Sequence, residues 1–299
     1  MSAAEHFLVI TQIAELRRVI AAARKDGHRI GCVPTMGALH AGHISLFART
    51  RQLADVVVAT IFVNPSQFAA NEDLSRYPRP LEADLNACRE AGVEIVFLPS
   101  VESLYPPAFD TWVKVEGLSA TLEGEIRPDH FRGVATIVLK LFNIVQPDSA
   151  CFGQKDFQQQ ALIRRMVRDL DVPVQIVTCP TIREADGLAL SSRNAYLNPA
   201  ERRAATVLSR GLRLAEVQLR GGNPDVAAVR ENVRLLLAAE SLVHPDYVAV
   251  VDPDSLAPLE QPQSRMAVLL AARVGSTRLI DNCLIDRHSS EPSTLVPGP

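Results

Sequence analysis

Strand-like and helix-like segments alternate between residues 30 and 180, and this alternation leaves few folds open to the chain. Five apolar segments have the length and composition of buried strands: 30–33, 56–63, 94–98, 150–152 and 172–177. Four segments between them have helical spacing: 42–53, 81–91, 136–144 and 157–170. Such alternation favours parallel strands joined by crossover helices. The sequence therefore predicts an α/β fold with a parallel sheet flanked by helices.

The pattern changes after the turn-rich segment that ends at Gly187. Two longer helices are predicted at 199–220 and 225–240, followed by strands at 247–251 and 266–272. The final residues are rich in Ser and Pro, which is typical of a mobile tail. We therefore predict three parts: a sheet domain at 1–187, a smaller α+β domain at 188–286 and a flexible tail at 287–299.

Composition excludes several classes of protein. With 47% apolar and 22% charged residues among 299, the chain has the balance of a globular protein with a substantial core. A net charge of -3 argues against a general nucleic-acid coat, and the longest apolar run, 56–63, is too short to span a bilayer. The five scattered cysteines contain no CxxC pair and the N-terminus lacks a secretory pattern, so a cytoplasmic protein is expected.

A segment with two histidines lies between the first predicted strand and the helix that follows it. His40-Ala41-Gly42-His43 stands at the helix start, where free backbone N–H groups and the helix dipole favour phosphate. Open parallel sheets also bind ligands at the carboxyl ends of their strands. The alternative is that His40 and His43 only cap the helix, and from the HxGH string alone the two interpretations are evenly balanced.

Two later segments carry groups suited to phosphate oxygens. Lys155 follows a strand and opens a helix, so its ammonium could meet a phosphate there; a surface lysine is the alternative. Ser191, Ser192 and Arg193 offer two hydroxyls and a guanidinium just beyond the predicted domain boundary; a solvated linker is the alternative.

Other candidate residues have weaker local patterns. Gln67 and Gln159 could hydrogen-bond a small polar substrate, although exposed glutamines are common. Arg127 and His130 lie in a charged loop of the kind that can close over a site. Asp84 is a possible Mg²⁺ ligand, with a solvent-facing helix residue as its alternative. No GxSxG elbow, Walker A loop or HExxH pair is present, so the sequence does not indicate a covalent enzyme intermediate.

Taken together, the motifs place the chain close to a known family. It resembles the pantothenate synthetases, the pantoate–β-alanine ligase family of the HxGH nucleotidyltransferase superfamily, over residues 7–285. The segments that carry the resemblance, in order, are Pro34–Gly37 with the two histidines, Phe62–Pro65 with Gln67-Phe68, Tyr77–Arg79, His130–Val134, Lys155–Gln159, Asp186–Asn194 and Leu279–Asn282.

The resemblance implies a Rossmann-like sheet domain, a smaller α+β C-terminal domain and a homodimer. It also implies a reaction in two steps that uses ATP with Mg²⁺, (R)-pantoate and β-alanine. Pantoate first attacks the α-phosphorus of ATP to give pantoyl adenylate and pyrophosphate. The amine of β-alanine then displaces AMP to give pantothenate, a coenzyme A precursor. Neither a nucleic acid nor a membrane is an expected partner.

The resemblance also assigns roles to residues. His43, His40, Lys155 and Arg193 are the implied catalytic residues, with His43 as the acid. Gln67 and Gln159 are assigned to pantoate, and Gln67 also to β-alanine. The implied ATP contacts are Met36, Gly37, Ala38, Leu39, His40, Ala41, Gly42, His43, Gly153, Gln154, Lys155, Asp156, Ile182, Leu190, Ser191, Ser192 and Arg193.

Two residues depart from the family pattern, and two other functions stay open. Gln154 replaces the usual Glu before the lysine, and Ser66 replaces the usual Met after Asn-Pro. Another HxGH cytidylyl- or adenylyltransferase is the first alternative function. A catalytically silent nucleotide-binding protein is the second. Pantoate-dependent pyrophosphate release followed by β-alanine-dependent AMP release distinguishes the ligase from both.

Overall fold

The computed structural model of the chain describes residues 7–69, 73–288 and 295. These residues form two sheets of six and three strands, each with its own helices. They group into two compact units, one within Met1–Gly153 and Leu162–Cys179 and the other within Gln154–Ala161 and Pro180–Pro299. Compactness does not show independent folding, so the predicted division at 187–188 stays a prediction.

The strands of the larger sheet lie between residues 8 and 179. These are β1 (Leu8–Ile10), β2 (Ile30–Thr35), β3 (Val56–Ile61), β4 (Ile95–Phe97), β5 (Ser149–Gly153) and β6 (Gln175–Cys179). The helices among them are α1 (Ile13–Lys25), α2 (Ala41–Arg51), α3 (Leu81–Glu90), α4 (Val101–Leu104), α5 (Glu123–Ile126), α6 (His130–Val145) and α7 (Phe157–Asp169). The predicted α/β fold is confirmed.

All pairs of neighbouring strands in this sheet are parallel, in the order β1-β4-β3-β2-β5-β6. From β2 the chain builds outward through β3 and β4, then returns to place β5 on the other side of β2. The strand order thus reverses between β2 and β5. In open α/β sheets, ligands bind beyond the carboxyl ends of the strands at such a reversal. The histidine segment leaves β2 at this point.

The second unit contains a three-stranded antiparallel sheet. Its strands are β7 (Val243–Val251), β8 (Arg265–Val274) and β9 (Thr277–Asp286), in that order. Its helices are α8 (Pro199–Ala204), α9 (Val207–Arg220) and α10 (Val226–Ala238). Asn198 caps α8 with Glu201 in a reciprocal capping box, and the Asp225 carboxylate caps α10. The predicted α+β character of this part is confirmed.

Several predicted elements have other bounds in the structure: the helix predicted at 136–144 is His130–Val145, and the strand predicted at 247–251 is Val243–Val251. The helix predicted at 199–220 is two helices, because the N–H and hydroxyl of Thr206 both donate to the Arg203 carbonyl and interrupt the regular ladder. The strand predicted at 172–177 begins only at Gln175, since Pro173 has no N–H to donate. Elements β1, α1 and β9 were not predicted; the polar pair Asp281-Asn282 interrupts the apolar pattern of β9.

Each unit has its own apolar core. The first is built around Val33, Phe47 and Val96, and the second around Leu212, Val233 and Leu270. Cys32, Cys88, Cys151, Cys179 and Cys283 are all buried and free. Burial raises the pKa of the Cys88 thiol to about 12.

Most of the predicted tail at 287–299 lies outside the described residues; only Arg287, His288 and Leu295 belong to them. Leu295 is buried in the core of the second unit, where its carbonyl accepts from Arg213 at 3.2 Å. No helix within residues 7–69, 73–288 and 295 combines the length and apolar character needed to cross a membrane.

Candidate active site

The two histidines after β2 form a reciprocal cap at the start of α2. Nδ1 of His40 accepts the backbone N–H of Gly42 at 3.1 Å, and Nδ1 of His43 accepts the backbone N–H of His40 at 3.3 Å. Their ring centroids are 4.2 Å apart. The capping interpretation is therefore correct as geometry. It does not compete with a chemical role, because an imidazole whose Nδ1 accepts carries its hydrogen on Nε2.

Gly42 is required by the close packing of this cap. A Cβ at Gly42 would lie 2.8 Å from Cε1 and 2.9 Å from Nδ1 of His40. Any other residue here would push the His40 ring out of its position. The glycine of the HxGH string is thus explained by the local geometry of the first histidine.

The segment before the histidines is held by a buried carboxylate. Asp84 of α3 accepts the backbone N–H of Ala38 at 2.9 Å and that of Leu39 at 2.8 Å. Gly37 and Ala38 both have positive φ, 79° and 51°, and a Cβ on Gly37 would lie 2.8 Å from Asp84 Oδ2. Asp84 therefore fixes a turn of unusual backbone shape. It is only 3% exposed, so the solvent-facing alternative is wrong.

The Asp84 carboxylate fits poorly as an isolated metal site. Each of its oxygens already accepts a backbone N–H. Among residues 7–69, 73–288 and 295, no group of three or more His, Cys, Asp or Glu side chains is placed to hold a metal ion. Its assignment to Mg²⁺ stays a prediction.

Gln67 lies at the end of a short 3-10 turn, Pro65–Gln67, after β3. Asn64 Nδ2 donates to Gln67 Oε1 at 3.1 Å, and Gln67 Nε2 lies 3.0 Å from Met36 Sδ. The side chain is buried, at 8% exposure, so it is not one of the common exposed glutamines. Asn64 and Met36 fix the orientation of its amide, as recognition of a specific substrate would require.

Arg127 and His130 both contact the backbone of Gln67. Arg127 donates to the Gln67 carbonyl at 3.2 Å, and His130 Nδ1 lies 2.8 Å from the same oxygen. The structure thus brings together residues that are 60 and 63 positions apart in the chain. Both residues therefore support the turn that carries Gln67, and closure of their loop over a site stays a prediction.

Ser66 joins a polar network with Asn64 and Tyr105. Its hydroxyl lies 2.9 Å from Asn64 Oδ1 and 3.1 Å from the Tyr105 hydroxyl, and Tyr105 also donates to Asn64 Oδ1 at 2.9 Å. Burial raises the pKa of Tyr105. Ser66 and Tyr105 therefore hold the asparagine that orients Gln67. Sequence reasoning missed Tyr105, which lies 39 positions from Ser66.

A cavity of about 310 Å³ opens beside the same strand ends. Ile61, Phe62, Val63 and Leu98 give it apolar walls, and Met36, Arg79 and Asp84 also line it. The cavity lies next to the turn that Asp84 fixes. The described residues of the first unit thus provide a concave surface at the carboxyl ends of β3 and β4.

In the second unit, Gln154 and Lys155 form the turn that follows β5. Asn282 of β9 donates to the carbonyls of Gln154 and Lys155 at 3.0 and 2.8 Å, and accepts from Gln154 Nε2 at 3.3 Å. Lys155 and Gln159 are half-buried and Asp156 is exposed. The backbone that carries the Lys155 side chain is therefore held in place by Asn282.

The segment that carries Arg193 is also ordered by its own hydrogen bonds. Leu190 donates to the Ile182 carbonyl at 3.0 Å, which closes a loop around Gly187, whose φ is 93°. The Ser191 hydroxyl accepts the backbone N–H of Arg193 at 3.3 Å and starts the turn Ser192–Tyr196. Ser192 and Arg193 are half-buried. The interpretation of this segment as a solvated linker is wrong.

Similarity to known proteins decides which family has this arrangement. The sequence profile described as Pantoate-beta-alanine ligase matches residues 8–284. The chain belongs to the pantoate-beta-alanine ligase family. It is 53% identical to the pantothenate synthetase of Moorella thermoacetica over 278 residues, which cover 93% of this chain and 98% of that protein. A second pantothenate synthetase, from Roseiflexus castenholzii, is 53% identical over 279 residues, 93% of this chain and 99% of its own.

Solved structures of the pantoate-beta-alanine ligase family agree with the fold. The crystal structure of the Thermus thermophilus pantothenate synthetase has 46% identity and a TM-score of 0.88, and covers 95% of this chain and 100% of that chain. The Francisella tularensis ligase has 31% identity and a TM-score of 0.75, with coverage of 95% and 99%. That protein was crystallised with beta-gamma ATP and beta-alanine. The predicted family, fold and ligase activity are confirmed.

Proposed function

We propose that the chain joins (R)-pantoate to β-alanine with ATP through a pantoyl-adenylate intermediate, and releases AMP and pyrophosphate. Membership of the pantoate-beta-alanine ligase family carries this proposal. A pantoate carboxylate oxygen attacks the α-phosphorus, and the bond to the β-phosphate oxygen breaks. The β-alanine nitrogen then attacks the acyl carbon, the bond to the AMP oxygen breaks, and the amine loses a proton.

The histidine cap supplies donors for the first step. Both Nδ1 atoms accept backbone N–H groups, so Nε2 of His40 and of His43 carries the hydrogen. We assign these N–H groups to the triphosphate, where negative charge moves to the departing pyrophosphate. The positive end of the α2 dipole also favours an anion here. His43 is assigned to the leaving group.

The remaining roles follow the family pattern. We assign Lys155 and Arg193 to the phosphates, where a cation stabilises developing charge without forming a covalent intermediate. We assign Gln67 and Gln159 to pantoate and Gln67 also to β-alanine; the fixed Gln67 amide supports this assignment. The remaining implied ATP contacts, at Met36–His43, Gly153–Asp156, Ile182 and Leu190–Arg193, keep their proposed role.

Magnesium is proposed to enter with ATP. The described residues offer no preformed metal cluster, and Asp84 is committed to backbone N–H groups. Mg²⁺ in nucleotide enzymes keeps several waters and needs few protein carboxylates when phosphates are present. Bound in this way, it would neutralise charge on the triphosphate.

The chain is further proposed to work as a cytoplasmic homodimer. The resemblance to the family implies the dimer, and the five buried free thiols suit a reducing compartment. Sedimentation of the purified protein tests the dimer, and cell fractionation tests the compartment. A monomer at working concentration would refute the first assignment.

The reaction is tested by separating its two halves. Exchange of labelled pyrophosphate into ATP should require pantoate but not β-alanine, and AMP release should require both. Exchange with a phosphorylated substrate in place of pantoate would indicate another HxGH transferase. Calorimetric ATP binding without either activity would indicate a silent nucleotide-binding protein.

A further inference from the structure

The turn that carries Lys155 is held by one side chain from the last strand of the second unit. Asn282 Nδ2 donates to the Gln154 carbonyl at 3.0 Å and to the Lys155 carbonyl at 2.8 Å. Its Oδ1 accepts from Gln154 Nε2 at 3.3 Å. A flipped Asn282 amide would lose all three hydrogen bonds, so the contacts fix the side chain in one orientation.

Asn282 is itself anchored by a buried ion pair. Arg183 donates to both Asp281 oxygens, at 2.7 and 2.9 Å, and the side chains are 0% and 2% exposed. The backbone N–H of Asn282 donates to Asp281 Oδ1 at 2.8 Å, and Arg183 also donates to the Asn282 carbonyl at 3.3 Å. The Asn282 backbone is therefore held by a buried ion pair, and its side chain holds the turn; we call this side chain the Asn282 clamp.

We propose that Asn282 is a positioning residue for Lys155: it fixes the backbone from which the ammonium reaches the triphosphate. This inference rests on the proposed function, in which Lys155 contacts phosphate. Asn282 is 1% exposed, so it acts through the turn rather than on substrate. Charged groups stabilise a transition state best when they are already in position as it forms. A Lys155 side chain on a mobile turn would therefore stabilise the developing charge less.

Gln154 is the partner that orients this clamp. It is 5% exposed, and its amide is the donor to Asn282 Oδ1. An ionised glutamate at this position would have no N–H to donate. The amide in this chain therefore complements the Asn282 orientation that serves the two carbonyls. The departure at Gln154 is compatible with a well-placed Lys155.

The test is a double-mutant cycle between Asn282 and Lys155. Asn282→Asp is nearly isosteric but faces both carbonyls with an acceptor. It should lower kcat/KM for ATP in pyrophosphate exchange roughly 10- to 100-fold, the loss expected when a catalytic group is displaced by about 1 Å. In a Lys155→Ala background the same change should alter the rate by less than about twofold, because the affected lysine is absent. Asn232→Asp, on the exposed face of α10, is the matched control and should leave kcat/KM unchanged.

Equal losses from Asn282→Asp in both backgrounds would overturn the proposal. So would a loss explained entirely by a smaller folded fraction, measured by circular dichroism at the assay temperature. Asn282→Ala adds no buried charge, so it replaces Asn282→Asp in the cycle if the aspartate variant does not fold.

The proposed reaction and the clamp can fail separately. If the wild-type protein shows no pantoate-dependent exchange, the proposed function fails. The cycle is then measured on ATP affinity by calorimetry. Weaker ATP binding in Asn282→Asp that disappears in the Lys155→Ala background would still support positioning, and additive effects would refute it.

Discussion

Nδ1 of His43 accepts the backbone N–H of His40, so the second histidine of the HxGH string caps the residue that bears the first. The cap uses one nitrogen of each ring and leaves the hydrogen on the other. Structural and chemical roles of the same imidazole are thus carried by different atoms. They can be separated by substitution.

Asparagine and glutamine at position 43 should separate these roles. The Asn side-chain oxygen can replace Nδ1 as acceptor, whereas the Gln amide nitrogen can replace Nε2 as donor. We expect His43→Asn to keep the cap and lose adenylate formation. His43→Gln should keep more exchange activity, and its side-chain oxygen can still accept the His40 N–H, so the unfolding free energy should change little. Urea unfolding and pyrophosphate exchange measure the two effects, and a loss of exchange in His43→Asn that is explained by a loss of unfolding free energy would contradict the division of roles.

Replacing Asp84 by Asn should loosen the turn that precedes the histidines. The amide retains one acceptor and turns its NH₂ toward the N–H of Ala38 or Leu39. We expect a loss of about 1–3 kcal/mol in unfolding free energy, the cost of an unsatisfied buried donor. The KM for ATP should rise as well. Glu82→Gln, exposed on the same helix, is the charge-matched control for urea unfolding and ATP titration.

A methyl group at Gly133 should disturb the turn that carries Gln67. The Cβ would clash with the Ser66 carbonyl oxygen and lie 2.8 Å from the Gln67 nitrogen, so the two segments must separate. We expect Gly133→Ala to cost roughly 1–3 kcal/mol, as overpacking does, and to raise the KM for pantoate. Gly117→Ala, where nothing lies within 4 Å, is the control. An unchanged KM for pantoate would separate Gln67 from substrate recognition.

Breaking the buried pair of Arg183 and Asp281 should cost more than removing both charges. Arg183→Met leaves an uncompensated carboxylate, and we expect a loss of roughly 3–5 kcal/mol. The double variant Arg183→Met/Asp281→Leu should recover part of that loss, because no buried charge remains. Denaturant unfolding measures both. A double variant less stable than Arg183→Met alone would show that the Asp281 contact to the Asn282 N–H outweighs the charge effect.

The larger sheet could be predicted from the sequence because apolar strands and amphipathic helices alternate within local windows. The position of the histidines after β2 followed from the same pattern. Contacts between distant residues could not be predicted. Nothing near Asp84 indicates that its carboxylate holds a turn 45 positions away, and Arg183 and Asp281 are 98 positions apart.

Local polarity also misled the prediction where polar residues are buried. Asp281 and Asn282 lie inside β9, where each satisfies its polar atoms with partners from elsewhere in the chain. Periodicity alone does not identify such a strand, since the partners that make burial possible are not local. The motif at Leu279–Asn282 drew attention to this segment, but it did not explain why polar residues are buried there.

Because all five cysteines are buried, the folded protein should react little with thiol reagents. None is more than 4% exposed, so a maleimide dye should react with them only after unfolding. A single cysteine introduced at the exposed Gly117 could therefore carry a fluorophore on the wild-type chain without removing any native thiol. Substrate-dependent movement could then be followed in solution by the emission of one probe.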